Sequence, residues 1–169
     1  MEMTRLAQEA DFIKLVDIIN RAYRSQGGWT TEALLVRKPR ISLQALQEQA
    51  KEHTVIVCEV DELCGCILLE KYKDGFLLGL FAVDPLVQSK GCGTRLMNAA
   101  MAEAQSQAAN SHSIGHVNLY MWVLEGRQEL LDWYLKVGFT DTGERLPFID
   151  ESLLIDKSLK FIVLKKSSS

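Results

Sequence analysis

The sequence predicts an α+β protein (an α/β mixed sheet), and three observations lead to this fold class. The chain has 169 residues, a length that a single hydrophobic core serves. Its apolar residues follow strand-like patterns in some segments and helical spacing in others, and these segments are interleaved along the chain. No internal repeat and no change of composition marks a second domain, so we expect one domain over residues 1–166 and a disordered tail at residues 167–169.

Four segments carry the signals of helices. The predicted helices are Asp11–Tyr23, Leu43–Glu52, Gly93–Ser106 and Gln128–Val137. Ser42 precedes the second of them and is a suitable N-cap, because its hydroxyl can accept a hydrogen bond from an amide of the first turn. Gly138 follows the last of them and suits the backbone conformation in which helices commonly end.

Six segments rich in apolar residues are predicted to be strands, and a short extended piece precedes the first helix. These strands are His53–Val60, Leu63–Tyr72, Phe76–Val83, His116–Val123, Phe139–Leu146 and Leu159–Lys165. Short polar joints, Asp61-Glu62 and Lys73-Asp74-Gly75, connect the first three strands and therefore predict an antiparallel meander. The predicted order of elements is β-α-α-β-β-β-α-β-α-β-β.

Charge and apolar pattern argue against several classes of partner. The formal net charge is −3, so nothing in the overall composition favours nucleic acid or an anionic membrane surface. The first residues lack the pattern of a signal peptide, and no apolar run reaches ~18 residues. We expect a cytoplasmic protein in a reducing setting.

The four cysteines, Cys58, Cys64, Cys66 and Cys92, are predicted to be buried free thiols. Cys64 and Cys66 alternate on a predicted strand and would point to the same face, which favours neither a shared metal ion nor a disulfide between these neighbours. The sequence contains no Cys-x-x-Cys pair and no Cys/His cluster, so no metal site is predicted.

The segment Gln88–Thr94 lies between an apolar strand and a helix, and it carries Gly91 and Gly93. Glycines allow the backbone to approach a ligand closely, and the first amides of a helix lack internal partners at the positive end of its dipole. A phosphate or diphosphate suits such a site, with Lys90 and Arg95 adding positive charge nearby. Gly-x-x-x-x-Gly-Lys-[Ser/Thr] does not occur, and the dinucleotide fingerprint lacks its third glycine, so a nucleotide-phosphate enzyme is disfavoured. The alternative at this point is that the glycines only make a tight turn.

Two motifs occur in the second half of the chain. Val83-Asp84-Pro85 is followed by Gln88-x-x-Gly91-x-Gly93, and further on Trp133-Tyr134 is followed by Gly138-Phe139. The first resembles the acetyl-CoA signature, Gln/Arg-x-x-Gly-x-Gly/Ala, of the GCN5-related N-acetyltransferase (GNAT) superfamily. The second resembles that family's later helix-to-strand motif and comes in the right order. The likeness covers most of the chain.

The resemblance implies a mostly antiparallel, twisted sheet flanked by helices, with strands four and five splayed apart. Acetyl-CoA is the implied co-substrate, with no metal, and its pantetheine arm is expected to pair with Phe81, Ala82 and Val83. The diphosphate is expected to bind amides of seven consecutive residues, which are Gln88, Ser89, Lys90, Gly91, Cys92, Gly93 and Thr94. Asp84 is expected to shape the turn rather than to act in catalysis.

Acyl transfer to an amine requires a neutral amine, a donor to the oxyanion and a proton for the leaving thiolate. Tyr134 matches the family tyrosine near the coenzyme sulfur and is expected to act as general acid; the alternative is an ordinary packed aromatic. An amide within Leu80–Ala82 is expected to face the oxyanion. Arg127 stands where many family members carry Asn, and we expect it at an exposed helix position; the alternative is that it contacts the coenzyme. No general base is assigned, because Glu70 and Glu125 are expected to be surface acids.

The acceptor is expected between the first helix, with its following loop, and the late hairpin. Tyr23, Trp29 and Arg24 are predicted on one wall and Pro147 and Phe148 on the other; for Tyr23 and Trp29 the alternative is core packing.

The predicted function is transfer of an acetyl group from acetyl-CoA to a primary amine of a small molecule or amino acid, by direct attack in a ternary complex. The alternatives are a protein N-terminal or lysine acetyltransferase and a non-catalytic acyl-CoA-binding module. Homodimers are common in the family, although no segment here predicts an interface.

Overall fold

The described residues form four α-helices and seven strands in the predicted order. The computed structural model describes residues 2–24, 40–87, 91–110, 116–148, 154 and 157–168. The strands are β1 (Glu2–Leu6), β2 (Thr54–Val60), β3 (Glu62–Tyr72), β4 (Gly75–Val83), β5 (Val117–Leu124), β6 (Thr140–Pro147) and β7 (Lys160–Ser168). The helices are α1 (Phe12–Arg24), α2 (Leu43–Glu52), α3 (Cys92–Asn110) and α4 (Gln128–Lys136).

One mixed sheet contains these strands in the order β1-β2-β3-β4-β5-β7-β6. β4 and β5 run parallel, and every other neighbouring pair is antiparallel. A parallel pair needs a long crossover, and α3 supplies it. The predicted fold class and the predicted meander of β2, β3 and β4 are confirmed.

Helices cover both faces of the sheet. α1 and α2 pack on one face, in a core that includes Leu15, Leu46 and Leu68. α3 and α4 pack on the other face, in a core that includes Ile67 and Leu96. Neighbouring residues of β3 thus face different helices, which explains why this strand is apolar along most of its length rather than alternating. Each fully buried leucine contributes about 1.5–3 kcal/mol to the stability of the fold.

β4 and β5 separate beyond the middle of β4, as expected. Their pairing runs only from Gly75 opposite Asn118 to Leu78 opposite Met121. A β-bulge in β4 lies directly after this point, because the register with β3 jumps and Leu80 takes a left-handed φ of +45°. Bulges bend a strand and increase its local twist. The bulge therefore directs the end of β4 away from β5 and opens the sheet.

A second bulge, in β3, overturns the prediction that Cys64 and Cys66 share a face. In the pairing of β2 with β3, Cys58 lies opposite Gly65 but Glu59 lies opposite Leu63, so Cys64 is an extra residue. The extra residue breaks the alternation of side chains. Cys64 consequently packs on the α3 side of the sheet, and Cys66 packs on the α1 side.

The ends of the elements agree with the predicted caps. The Ser42 hydroxyl accepts a hydrogen bond from the Ala45 amide at 3.1 Å, and Gly138 has a φ of +109° just after α4. β7 extends to Ser168, and Ser167 and Ser168 lie opposite β5. Among the described helices, none has the length and apolarity needed to span a bilayer.

Candidate active site

A cleft opens where β4 and β5 separate. Its cavity has a volume of about 410 Å³. The walls come from the end of α1, the second half of β4, the first turn of α3, the residue before α4, and α4 itself. The cleft thus lies at the carboxyl end of β4, where α/β sheets commonly bind ligands.

Most of the residues predicted to bind the coenzyme line this cleft. They are Phe81, Ala82, Val83, Gly91, Cys92, Gly93 and Thr94. Three further predicted residues, Gln88, Ser89 and Lys90, lie outside the described part of the chain. The structure therefore brings the β4 segment and the start of α3 to one cavity, as a bound coenzyme would require.

The start of α3 has the features of an anion site. The Arg95 amide donates a hydrogen bond to the Gly91 carbonyl at 3.1 Å, and the amides of Cys92, Gly93 and Thr94 precede this bond at the start of the helix. Gly91 has a φ of +77°, which favours glycine. The site fits a diphosphate, because a cation, Arg95, lies nearby: its guanidinium is 3.4 Å from where a Gly91 Cβ would be.

Tyr134 lies at the inner wall of the cleft and is only 2% exposed. Its ring is surrounded by aromatic rings, with centroids at 5.3 Å for Trp133, 5.8 Å for Phe139 and 6.2 Å for Phe81. Burial raises the pKa of the Tyr134 phenol well above its usual value, and Tyr23 raises it further, whereas the Arg127 cation lowers it. The phenol is therefore neutral at physiological pH and can only donate a proton.

Arg127 is not on an exposed helix surface as expected. It is the residue directly before α4, is half-buried, and lines the cleft. Its guanidinium carbon lies 5.2 Å from the centre of the Tyr23 ring, and that of Arg40 lies 5.3 Å from the same ring. Such cation–π contacts fix the position of an arginine and its aromatic partner. Tyr23 thus lines the cleft, in contact with Arg127 and with Arg40, which the sequence did not single out.

Asp84 is a structural residue, as expected. It is 5% exposed and forms an ion pair with Arg21 of α1, with contacts of 2.7 and 3.3 Å. It also accepts a hydrogen bond from the Leu86 amide at 3.1 Å, in the short 3-10 turn that follows β4. Asp84 therefore ties the end of α1 to the turn that leads into the coenzyme loop. The sequence signal for Arg21 was weak, because the two residues are far apart in the chain.

The other proposed acids and acceptor residues lie elsewhere. Glu70 is paired with the Nε2 of His53 at 3.3 Å, and Glu125 accepts a hydrogen bond from the Lys160 amide at 2.7 Å. Phe148 stacks on Phe161 at 5.3 Å, and among the described residues neither Phe148 nor Pro147 lines this cleft. Trp29 lies outside the described residues.

Comparisons with known proteins agree with this architecture. Residues 51–141 match the family model described as "Acetyltransferase (GNAT) domain". No curated protein sequence matches the chain.

Solved structures resemble the chain in fold over almost its whole length. Ard1 from Thermoplasma volcanium is 20% identical, with a TM-score of 0.72 and coverage of 99% of this chain and 98% of that one. The PaiA N-acetyltransferase from Thermoplasma acidophilum, in complex with coenzyme A, is 14% identical, with a TM-score of 0.72 and coverage of 99% of both chains. The ribosomal-protein-S18-alanine N-acetyltransferase from Escherichia coli is 14% identical, with a TM-score of 0.70 and coverage of 100% and 95%. At these identities the likeness shows the shared fold alone.

Proposed function

Because this chain belongs to the GNAT acetyltransferase family, we propose that it transfers an acetyl group from acetyl-CoA to the primary amine of a small molecule or an amino acid. The observation that carries the proposal is the cleft between β4 and β5. A helix N-terminus, the open backbone of β4 and the buried phenol of Tyr134 all face this one cavity. These are the three features that coenzyme binding and thioester transfer need.

Acetyl-CoA supplies the activated carbonyl, and two parts of the chain hold it. The amides of Cys92, Gly93 and Thr94, together with Arg95, bind the diphosphate. The pantetheine arm lies along β4 at Phe81–Val83, where the pairing with β5 has ended. The arm there replaces a neighbouring strand, which satisfies backbone groups that the splay leaves open.

The bulge in β4 provides the donor to the oxyanion. One residue of a bulge is left out of the strand ladder, so an amide within Leu80–Ala82 is directed into the opening. The amine nitrogen attacks the thioester carbonyl directly, the carbon–sulfur bond breaks, and both substrates occupy the cleft together. Water removes the amine proton, since Glu70 and Glu125 lie away from the cleft walls.

Tyr134 protonates the leaving thiolate. A thiol of ordinary pKa, ~8.5, is a stronger acid than a phenol of pKa ~10, so the transfer is uphill in water. The aromatic walls change this balance, because they remove water from the thiolate as well as from the phenolate. Tyr134 can then deliver its proton at the moment the sulfur departs.

Arg127 indicates what the acceptor carries besides its amine. Among the described residues that line the cleft, it is the one with an ionised side chain. A half-buried guanidinium binds carboxylates well, since its planar donors match the two oxygens. We therefore infer an acceptor with a carboxylate close to its amine, such as a free amino acid.

A panel of matched acceptors tests the proposal. Each amino acid is compared with its carboxamide and with a peptide that begins with the same residue, and acetylated product is measured by mass spectrometry. Removing a hydrogen bond to a charged group costs about 1.5–3 kcal/mol, so we expect the free amino acid to have at least roughly tenfold higher kcat/KM than the carboxamide. In Arg127→Asn, which restores the common family residue, this preference should disappear while the Kd for CoA stays unchanged.

The opposite results identify the alternatives. Equal rates for the acid and the carboxamide would reject the carboxylate, and acetylation of peptides alone would indicate a protein acetyltransferase. A raised Kd for CoA in Arg127→Asn would place the arginine on the coenzyme. Tight CoA binding without turnover on any amine would indicate a non-catalytic binding module.

A further inference from the structure

Three cysteine side chains meet in the core beneath the start of α3. Cys58 of β2, Cys64 of β3 and Cys92 of α3 are buried, and their sulfur atoms lie within 4.8 Å of one another. The sulfur atoms of Cys64 and Cys92 lie 3.0 Å apart. Two features create this contact. The bulge turns Cys64 toward α3, and Gly65 has no side chain where a Cβ would lie 3.2 Å from the Cys92 sulfur.

The distance between the sulfur atoms of Cys64 and Cys92 can be compared with the distances expected for a shared metal ion and for a disulfide. Thiolates bound at about 2.3 Å to one tetrahedral zinc ion lie about 3.7 Å from each other. The sulfurs of a disulfide lie about 2.05 Å apart. A separation of 3.0 Å is shorter than the spacing of two ligands of one zinc ion and only about 1 Å longer than a disulfide bond, so it is nearer to the disulfide geometry.

The electrostatics of the pair favour a reactive thiolate. The hydrogen bond from the Cys92 thiol lowers the pKa of Cys64 to about 7. The same interaction, together with burial, raises the pKa of Cys92. Thiolates are the form of cysteine that attacks oxidants. Cys92 also lines the cleft, which gives a water-sized oxidant a route to the pair.

We propose that Cys64 and Cys92 form a redox-active pair, which hydrogen peroxide or another small hydroperoxide converts reversibly into a disulfide. The Cys64 thiolate attacks a peroxide oxygen, the sulfur–oxygen bond forms, the oxygen–oxygen bond breaks, and hydroxide leaves. The Cys92 sulfur then attacks the sulfenic acid, the sulfur–sulfur bond forms, and the departing hydroxide takes the Cys92 proton as water. Two electrons pass to the peroxide, and β3 becomes covalently joined to the first turn of α3.

Peptide mapping of the full chain tests the proposal. The protein is treated with hydrogen peroxide, denatured in the presence of an alkylating reagent that blocks free thiols, and digested with a glutamate-specific protease. This protease cuts after Glu59 and Glu62 and so places Cys58 and Cys64 in different fragments. We expect two of the four thiols to escape alkylation and one linked pair of fragments to carry Cys64 and Cys92. Dithiothreitol should restore all four thiols.

Variants assign the bond. Cys66 shares a fragment with Cys64 but packs on the other face of the sheet, so Cys66→Ala is the matched control and should keep the link. Cys64→Ala should abolish it, and tandem mass spectrometry of the wild-type fragment makes the same assignment if a variant fails to fold. Four alkylated thiols after oxidation, a link through Cys58 or Cys66, or irreversible sulfinic acid would each overturn the proposal. So would zinc or copper in the purified protein that is lost in Cys58→Ala, because the three thiols would then be a metal site.

Discussion

Tyr134 and Arg127 lie seven residues apart, on either side of the first turn of α4, and they influence each other through the cleft. The cation of Arg127 lowers the pKa of the phenol, which burial raises. An asparagine in place of Arg127 would remove the lowering effect and leave Tyr134 a weaker acid. In the proposed mechanism the arginine therefore has two roles: it offers a cation to the acceptor, and it makes the buried phenol a better proton donor.

Removal of the Tyr134 hydroxyl should slow the acetyl transfer without weakening the binding of CoA. We expect Tyr134→Phe to lower kcat by about a hundredfold or more, the usual contribution of a general acid, with little change in the Kd for CoA. Tyr72→Phe removes a hydroxyl from a half-buried tyrosine at the end of β3, away from the cleft walls, and should leave kcat unchanged. Steady-state kinetics and calorimetric CoA titration measure both quantities. An unchanged kcat in Tyr134→Phe would remove the tyrosine from the mechanism.

At the scale of elements, two β-bulges determine where the chemistry lies. The bulge in β4 separates it from β5 and opens the cleft. The bulge in β3 moves Cys64 to the face that meets α3. Both bulges lie in one hairpin, and each adds a single residue. One hairpin therefore shapes both the cleft and the thiol pair.

Substitution of Gly91, at the start of α3, should weaken CoA binding, and the same substitution at Gly143 is the control. Gly91 and Gly143 both have a left-handed φ, of +77° and +85°, so an alanine at either position should cost roughly 1–2 kcal/mol of stability. Of these two glycines, only Gly91 adjoins the amides proposed to bind the diphosphate. We expect Gly91→Ala to weaken CoA binding severalfold and Gly143→Ala to leave it unchanged, as measured by titration beside urea unfolding. Equal CoA affinities in the two variants would argue against the loop as the diphosphate site.

Helices and strands could be predicted where residues close together in the sequence determine them. Apolar spacing and the caps Ser42 and Gly138 located the helices to within a few residues, and the two motifs indicated the family. The exposed position expected for Arg127 was wrong, because the direction of a residue just before a helix depends on its distant partner Tyr23. The contact of Cys64 with Cys92 was missed because a bulge is set by the register between strands, and side-chain alternation alone does not reveal it.

For the whole molecule, side chains that stay protonated in the core determine how the free energy of unfolding changes at high pH. Burial raises the pKa of the Cys66 thiol to about 12 and the pKa of Tyr134 above its usual value. Below pH ~8.5 the Cys66 thiol is neutral in both the folded and the unfolded chain, and its stabilising contribution is fully present. Above this pH the unfolded chain loses the proton first, so the free energy of unfolding should fall as the pH rises toward 12.

Urea unfolding between pH 8 and pH 12, in the presence of reductant, measures this effect. We expect the free energy of unfolding to fall less steeply with pH in Cys66→Ala than in the wild type. The two slopes should differ by up to about 1.4 kcal/mol per pH unit, the value for one proton. Leu68→Ala is the control, because it removes a buried side chain from the same face without a titrating group and should shift the curve downward without changing its slope. Parallel curves for the wild type and Cys66→Ala would show that the thiol does not titrate differently in the two states.

The short pairing of β4 with β5 has a mechanical consequence. Four residue pairs join a half-sheet of β1 to β4 to a half-sheet of β5, β7 and β6. Beyond these pairs the two halves are joined by side-chain packing, because one core contains residues of β3, α3, β5 and β7. The width of the cleft therefore depends on how side chains pack in this shared core as well as on the strand hydrogen bonds.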